Sequence, residues 1–241
     1  MSSKWWALVS GLLLYAATVA ASTQESPRVL RVYGPGGPHH VIKECAQLFS
    51  ARHGVIVQVK PHDLKQQLDE DVDIYYGGAE YMLEDFALLN PGVLDLTTLE
   101  NLHPRRIGIL VREGNPLKIM GTEDLREEGV DLLDVQLENM RHLHGAPSGL
   151  SSNIRHFAYT GQQGVNAWRS SPELDAWVTY KTWHLALETE SDFIEIPGAA
   201  GLRYTPMALT QQTPHRQEAM NFISFLKSAE ARQIFKEHGW Y

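Results

Sequence analysis

Apolar residues recur along the chain with two different spacings, and their order predicts alternating strands and helices. One helical face is predicted from five positions: Val41, Ile42, Cys45, Leu48 and Phe49. Gly54 is expected to end that helix. Apolar, β-branched runs predict strands at 29–32, 55–61, 73–76, 106–111, 130–135, 176–180, 192–197 and 203–210, the last of them interrupted by Pro206. Strands separated in this way by helices are typical of an α/β fold with parallel pairing.

Further helices are predicted from capping residues and shorter apolar patterns. They lie at 63–68, from Ala79, after Thr122 as an N-cap, from 154 to 159, after Thr213 and Pro214, and from Ser228 to Gly239. Strand, turn and helix therefore follow one another at 29–50 and 73–86, and a third such unit is indicated at 130–159. In open α/β sheets, ligands bind where such turns cluster.

The turn before the first helix is rich in glycine and proline, with Gly36, Gly37 and Pro38 followed by His39 and His40. Backbone N–H groups at a helix start have no partner within the helix, and they lie at the positive end of the helix dipole. The stretch therefore predicts an anion site formed by the N–H groups of residues 36, 37 and 39 and the ring of His40. The same pattern is also typical of a surface turn whose donors face water.

A second turn and a polar loop supply further candidates. Gly77 and Gly78 end one strand and begin a helix, although glycines at such a place also serve simply to terminate a strand. Ser148, Ser151 and Ser152 precede a predicted helix and offer hydroxyl donors, or alternatively helix caps.

The N-terminus has the pattern of an export signal. Lys4 is followed by an apolar run from 5 to 19 and by small residues at 19–21, which predicts cleavage after Ala21. The apolar run is shorter than the roughly 20 residues of a membrane-spanning helix. The mature protein is therefore expected in the periplasm.

Composition and charge narrow the function. Hydrophobic residues make up 43% of the chain and charged residues 21%, as in ordinary globular proteins, and the formal net charge is −8. The acidic balance and the lack of a basic run argue against nucleic acid as a partner. The single cysteine, Cys45, lies on the apolar helix face and is expected to be buried and unreactive.

Several segments together resemble a known family. The order of "RVYGPGGPHHVIKECA", "DIYYGGAEYM", "HPRRIGI" and the tail "FISFLKSAEARQIFKEHGW" is similar to that of the type II periplasmic solute-binding proteins. Within them, the chain resembles the molybdate- and sulfate-binding branch, and most of all the accessory colonization factor C family. The likeness extends over nearly all of the mature chain.

The resemblance implies a two-lobed α/β fold with mixed, mainly parallel sheets and a ligand enclosed between the lobes. The first lobe would comprise residues 22–105 and 205–241, and the second residues 106–204. It further implies a monomer that binds a small oxyanion such as sulfate or molybdate, without a cofactor or a catalytic role, and passes it to a membrane permease or chemoreceptor. Tyr180, Thr182, Arg203 and Tyr204 fall where relatives contact ligand or where the chain crosses back between lobes.

Other functions stay open on the sequence alone. His39 and His40 replace a small hydroxyl residue of the molybdate-binding pattern, so an organic carboxylate or a sulfated sugar is an alternative ligand. Paired histidines, including His142 and His144, suggest a metal site, but their spacing is not that of structural zinc. The sequence has no G-x-S-x-G, H-E-x-x-H or P-loop motif, which disfavours an enzyme. A module that binds another protein is the third alternative.

Overall fold

A computed structural model describes residues 29–64, 71–144 and 152–241. Its strands are β1 (Val29–Gly34), β2 (Ile56–Pro61), β3 (Ile74–Tyr76), β4 (Leu94–Arg112), β5 (Leu132–Val135), β6 (Ile154–Ala158), β7 (Ala176–Tyr180), β8 (Ser191–Glu195) and β9 (Leu202–Thr210). Its α-helices are α1 (Gly36–His53), α2 (Glu80–Leu89), α3 (Gly161–Ser170), α4 (Lys181–Ala186), α5 (Arg216–Leu226) and α6 (Ala229–Glu237). The predicted export signal, and most of the helix predicted at 63–68, lie outside the described residues.

The strands form two sheets that share β4. The order is β2-β1-β3-β9-β4 on one side and β4-β7-β5-β6 on the other, and β8 also pairs with β4. β1 runs parallel to β2 and β3, and β5 runs parallel to β6 and β7, whereas β4 is antiparallel to β7, β8 and β9. β4 is 19 residues long, which allows its first part to pair with β9 and its second part with β7 and β8.

Each sheet has a hydrophobic core of its own. In the first, α1, α5 and α6 bury Ile42, Phe49, Phe222 and Phe235 against β1, β3 and β9. In the second, α3 buries Trp168 beside Trp177 of β7, and both indoles are fully buried. Separate cores on either side of a shared strand produce two packed bodies with a cleft between them.

The strongest sequence patterns are confirmed. Val41, Ile42, Cys45 and Phe49 of α1 are buried, and Gly54 caps the helix in the left-handed conformation with a φ of 65°. The helix begun by Ser228 is also confirmed, because the Ser228 hydroxyl accepts a hydrogen bond from the N–H of Ala231.

The helix predicted at 154–159 is wrong, because these residues form strand β6. β6 pairs in parallel with β5, and its side chains alternate between exposed and half-buried positions. A short apolar run does not by itself distinguish a strand from a helix. Here the segment is a strand because it pairs with β5 at the edge of the sheet. The helix that follows, α3, is held by a capping box between Thr160 and Gln163.

Two predicted caps and one predicted interruption are also wrong. Thr122 does not cap a helix, because the segment forms a short 3-10 turn, and Asp124 accepts hydrogen bonds from the N–H groups of Met120 and Gly121. α5 begins at Arg216 after His215, and the Thr213 hydroxyl instead donates to Asp73. β9 runs through Pro206 without a break, since the strand opposite adapts by shifts in register.

No helix in the described ranges is long and apolar enough to span a membrane.

Cys45 provides a first test of the packing. Its side chain is fully buried, and burial raises the pKa of the thiol to about 12, so the reactive thiolate is suppressed at neutral pH. We expect a thiol-specific reagent to leave the native protein unlabelled over hours. The same reagent should label it in denaturant within minutes, on the order of the reagent's rate with a free thiol. Rapid labelling of the native protein would contradict the buried position.

Candidate functional site

The start of α1 presents backbone donors to the cleft. Pro35 is the N-cap residue of this 18-residue helix, and its side chain makes no capping hydrogen bond. Gly36 and Gly37 are exposed, and the first turn contains no acidic side chain. Since these N–H groups lie at the positive end of a long helix, the local geometry favours an anion.

Arg105 lies directly beside that helix start. The residue is only 3% exposed, and its guanidinium carbon is 3.7 Å from the centre of the Tyr180 ring and 5.2 Å from that of Trp240. Nη2 donates to the carbonyl oxygen of Gly78, whereas Nε is buried without a partner. Nη1 lies 3.4 Å from where a Cβ on Gly37 would be.

Arg105 is a buried cation that forms no ion pair with any carboxylate of the described residues, although it interacts through space with Glu138. A buried charge is costly unless it is paired and hydrogen-bonded. Its place next to an uncapped helix start puts two sources of positive potential at one point. The pair therefore forms a site for the charged group of an anion.

A buried carboxylate faces the same space. Glu138 ends a short 3-10 turn, Gln136–Glu138, and is 6% exposed. Its oxygens accept hydrogen bonds from the Thr179 hydroxyl at 2.7 Å and from Nε1 of Trp183 at 2.6 Å. Burial raises the pKa of this carboxyl to about 7, against the opposing effect of its hydrogen bonds and of Arg105.

These groups line one cavity of about 550 Å³ between elements of both sheets. The wall on the side of the first sheet includes Gly36, Gly37, His40 and Gly78. The opposite wall includes Glu138, Gly161, Tyr180, Thr182 and Trp183. Arg105 and Trp240 also line the cavity.

A second cavity of about 810 Å³ adjoins the first and shares Pro35, Gly36, Met82, Leu137 and Thr160 with it. The Tyr81 hydroxyl donates to the carbonyl oxygen of Leu137 at 3.0 Å, a bond from α2 to the opposite side of the cleft. The cleft is therefore continuous, with Arg105 in its smaller part and residues of α2 along its larger part.

The family of the chain follows from a comparison with family models. Residues 30–241 match the model described as bacterial extracellular solute-binding protein. The chain belongs to this family. Solute-binding proteins bind small ligands and typically work with membrane permeases, and a cleft lined from two lobes is the place where such a ligand fits.

Solved structures agree with the fold of this solute-binding protein. PEB3 from Campylobacter jejuni is 26% identical, with a TM-score of 0.69 over 88% of this chain and 98% of that one. PEB3 bound to L-phospholactate is 25% identical, with the same TM-score and the same coverage of each chain. The sulfate-binding protein SubI from Mycobacterium tuberculosis H37Rv is 14% identical, with a TM-score of 0.68 over 88% of this chain and 86% of that one. A comparison with curated protein sequences found no match. The expected two-lobed α/β fold with mixed sheets is confirmed.

Six residues predicted from the sequence lie together in the smaller cavity of the solute-binding protein. They are Gly36, Gly37, His40, Gly78, Tyr180 and Thr182. They come from separate stretches of the chain, which the fold brings to one cleft.

Other predicted residues do not line either cavity. Gly77 packs against Pro206, whose carbonyl oxygen accepts from its N–H, and a Cβ at Gly77 would lie 2.8 Å from that proline ring. His39 is half-buried, and burial lowers its pKa. Ser152 is exposed at the surface. Ser148 and Ser151 lie outside the described residues.

Arg203 and Tyr204 line neither cavity, although the charge of Arg203 lies within electrostatic range of Tyr81 and Tyr180. Arg203 donates to the carbonyl oxygen of Leu202, and its Nη2 lies 3.2 Å from Nε2 of His142. The N–H of Tyr204 donates to Glu80. The arginine that lines the smaller cavity in the described part of the chain is Arg105, the residue opposite Arg203 in the β4–β9 pairing.

Sequence reasoning missed Arg105, Glu138, Trp183 and Trp240. Arg105 and Arg106 are adjacent within a strand, and alternation would point only one of them to a given face. The adjacency could therefore have indicated that one of these two arginines faces the cleft. Glu138 lies in a 3-10 turn with no motif around it, so no local pattern indicates its role.

In the described part of the chain, no group of three or more histidine, cysteine, aspartate or glutamate side chains is arranged to hold a metal ion.

Gly37 allows a direct test of the helix start. A Cβ there would lie in ordinary contact with Nη1 of Arg105, so alanine fits, whereas leucine would extend into the space beside the guanidinium. We expect Gly37→Leu to weaken binding of an anionic ligand about tenfold or more, because it removes room for the charged group. The stability of the unliganded protein should not fall, because glycine is a poor helix former. Calorimetry and thermal unfolding measure the two effects.

Gly121→Leu is the matched control for this substitution. Gly121 has nothing within 4 Å of its Cβ position, so leucine fits there too, and it lies outside both cavities. Equal losses of affinity in the two leucine variants would contradict a site at the start of α1.

Proposed function

We propose that this protein is a periplasmic, monomeric solute-binding protein that encloses a small organic anion carrying a carboxylate, phosphate or sulfate group. The charged group would lie between Nη1 of Arg105 and the N–H groups at Gly36 and Gly37. The observation that carries the proposal is the buried guanidinium of Arg105 without an ion pair among the described residues, held on Tyr180 and next to an uncapped helix start.

The size and lining of the cleft support an organic ligand. A cavity of about 550 Å³ falls within the range of small-molecule sites and is larger than a bare tetrahedral oxyanion requires. Its aromatic lining, with Tyr180, Trp183 and Trp240, suits carbon atoms attached to the anionic group. L-phospholactate, to which PEB3 is bound in one of the solved structures, belongs to the same chemical class.

A bare oxyanion such as sulfate or molybdate is the second candidate. It is favoured by the donors at the α1 start, which need no organic scaffold to bind. The buried carboxylate of Glu138 on the opposite wall disfavours it, because a fully deprotonated oxyanion has no hydrogen to donate to this carboxylate, whereas an organic anion can carry a hydroxyl group.

We place the two lobes at 22–105 plus 205–241 and at 106–204, so that the ligand would lie between them. Ligand binding would draw the two lobes together by a hinge motion around the shared strands. The closed form could then be recognised by a membrane permease or by a chemoreceptor. Membership of the accessory colonization factor C family stays a prediction. The protein is inferred to act by binding, without chemical change of its ligand.

A thermal-unfolding screen tests the proposal. L-phospholactate, small carboxylates, a sulfated sugar, sulfate and molybdate would each be added to the mature protein, because a ligand of the folded state raises the melting temperature. We expect the organic anions to give larger shifts than sulfate or molybdate at equal concentration. A shift with sulfate or molybdate alone would favour the second candidate. No shift with any anion would contradict the proposed function.

A further inference from the structure

Glu138 is an acceptor that the protein uses only in part. An ionised carboxylate offers about four lone-pair sites, and two hydrogen bonds from the described residues reach Glu138, one to each oxygen. The buried indole N–H of Trp177, which has no hydrogen-bond partner of normal geometry in the described part of the chain, also favours the ionised form. The residue is buried and lines the cavity in which the proposed function places the anion. Its remaining acceptor capacity is therefore available to a ligand.

The charged neighbours of Glu138 do not neutralise it by direct contact. Arg105, from β4, lowers the pKa of the carboxyl through space, but its hydrogen bond goes to Gly78 instead. The phenols of Tyr180, from β7, and Tyr81, from α2, also lie within electrostatic range, and burial raises the pKa of each phenol. Both phenols are thus neutral at physiological pH.

Two histidines line the same cavity. His40 belongs to α1, and His238 follows α6 and lies 2.8 Å from a carboxylate oxygen of Glu44. Both rings face every anion that enters the cavity. A comparison between two ligands of equal charge therefore separates the effect of Glu138 from theirs.

We propose that Glu138 and the bound anion must share one hydrogen, which the ligand supplies as a hydroxyl group or Glu138 supplies as a carboxylic acid. A deprotonated carboxylate cannot approach an anionic ligand oxygen without repulsion, whereas a hydroxyl between them satisfies both. The inference rests on the proposed function, and it predicts that above about pH 7 the site prefers anions with a hydroxyl close to the acidic group, whereas below that pH anions without a hydroxyl also bind.

The proposal gives the two ligand types different pH dependences. The pKa of Glu138 is raised to about 7 by burial, so its acid form is present below that pH and is lost above it. A ligand without a donor requires the acid form, and its affinity should fall about tenfold for each pH unit above that value. A hydroxylated ligand binds the ionised form as well, and its affinity should change far less.

Succinate and malate make a matched pair for the test. Both are dicarboxylates that are almost fully ionised from about pH 7 to about pH 9, and only malate has a hydroxyl group. Calorimetric titrations across that range should show a steep loss of affinity for succinate and a shallow one for malate. In Glu138→Gln, the amide can donate and accept at every pH, so the succinate slope should match the malate slope.

Glu195→Gln is the control for loss of a carboxylate. Glu195 lies on β8 near Arg106 and Lys181 and lines neither cavity, so this variant should retain the wild-type slopes. Equal slopes for succinate and malate in the wild type, or a steep succinate slope that persists in Glu138→Gln, would overturn the inference and leave the anion site intact. Absence of binding by both acids, together with no response to any anion in the thermal screen, would overturn the proposed function itself.

Discussion

Replacing Arg105 with methionine is expected to weaken binding of an organic anion by about a hundredfold or more. The substitution removes a buried cation that would form charge-assisted hydrogen bonds with the ligand, and losing one partner of such a pair costs roughly 2–5 kcal/mol. Methionine keeps an unbranched apolar side chain against Tyr180 and Trp240, so the packing of the cleft should persist. Calorimetry with L-phospholactate measures the loss, and thermal unfolding of the unliganded variant measures the stability.

Arg203→Met is the matched control. Arg203 lies opposite Arg105 in the pairing of β9 with β4, but its hydrogen bond goes to a backbone carbonyl and its Nη2 lies beside His142. We expect its affinity to stay within about threefold of the wild type, as is usual for a partly exposed charge away from the contact. A large loss in Arg203→Met with binding retained in Arg105→Met would move the site to the other arginine.

The two arginines show why the candidate site is only partly predictable from the sequence. Arg203 is a candidate because a cation is expected where the chain returns between the lobes, and that expectation depends on position along the chain alone. Arg105 meets the cavity because β4 continues through both sheets and stacks this residue between Tyr180 and Trp240. Those two rings are 75 and 135 residues further along the chain. The residues next to Arg105 in the sequence therefore do not indicate which rings it contacts.

The glycine turn is predictable for the opposite reason. Gly36 and Gly37 belong to a strand, turn and helix that are contiguous in sequence, and the backbone donors at the start of α1 follow directly from that order. Helical periodicity likewise locates α1 and its buried face. In β6, by contrast, pairing with β5 determines the secondary structure. The local apolar pattern there predicts a helix, which is wrong.

Glu138 illustrates a functional group that no local signal marks. Its burial results from the packing of a 3-10 turn against β7 and α4, which supply the hydroxyl of Thr179 and the indole N–H of Trp183. A glutamate in a polar sequence is usually solvated. Only the tertiary packing buries Glu138 and places its carboxylate in the cleft as a hydrogen-bond acceptor.

Glu138→Gln is expected to make the unliganded protein more stable at alkaline pH and to leave it nearly unchanged at acidic pH. The pKa of this carboxyl rises from an ordinary value of 4.5 to about 7 in the folded protein, chiefly through burial. The folded state therefore holds the proton more tightly, and the free energy of unfolding falls as the pH rises from the lower value to the higher one. The difference between variant and wild type should reach on the order of 3 kcal/mol above that range. Chemical denaturation at about pH 5 and about pH 8 measures it.

Buried histidines also make the stability depend on pH. The effect of Glu138 is therefore the difference in the free energy of unfolding between Glu138→Gln and the wild type. Burial lowers the pKa of His103 and of His144, so their contribution to stability is present above the ordinary histidine value and is lost as the pH falls through the range below it. That trend opposes the effect of Glu138, but it is common to the wild type and the variant and cancels in the comparison. A glutamine side chain can accept from Trp183 and donate to Thr179, so both bonds of the acid form are retained. A stability difference of the same size at both pH values would indicate a change in packing, and would contradict a buried carboxyl that titrates near neutrality.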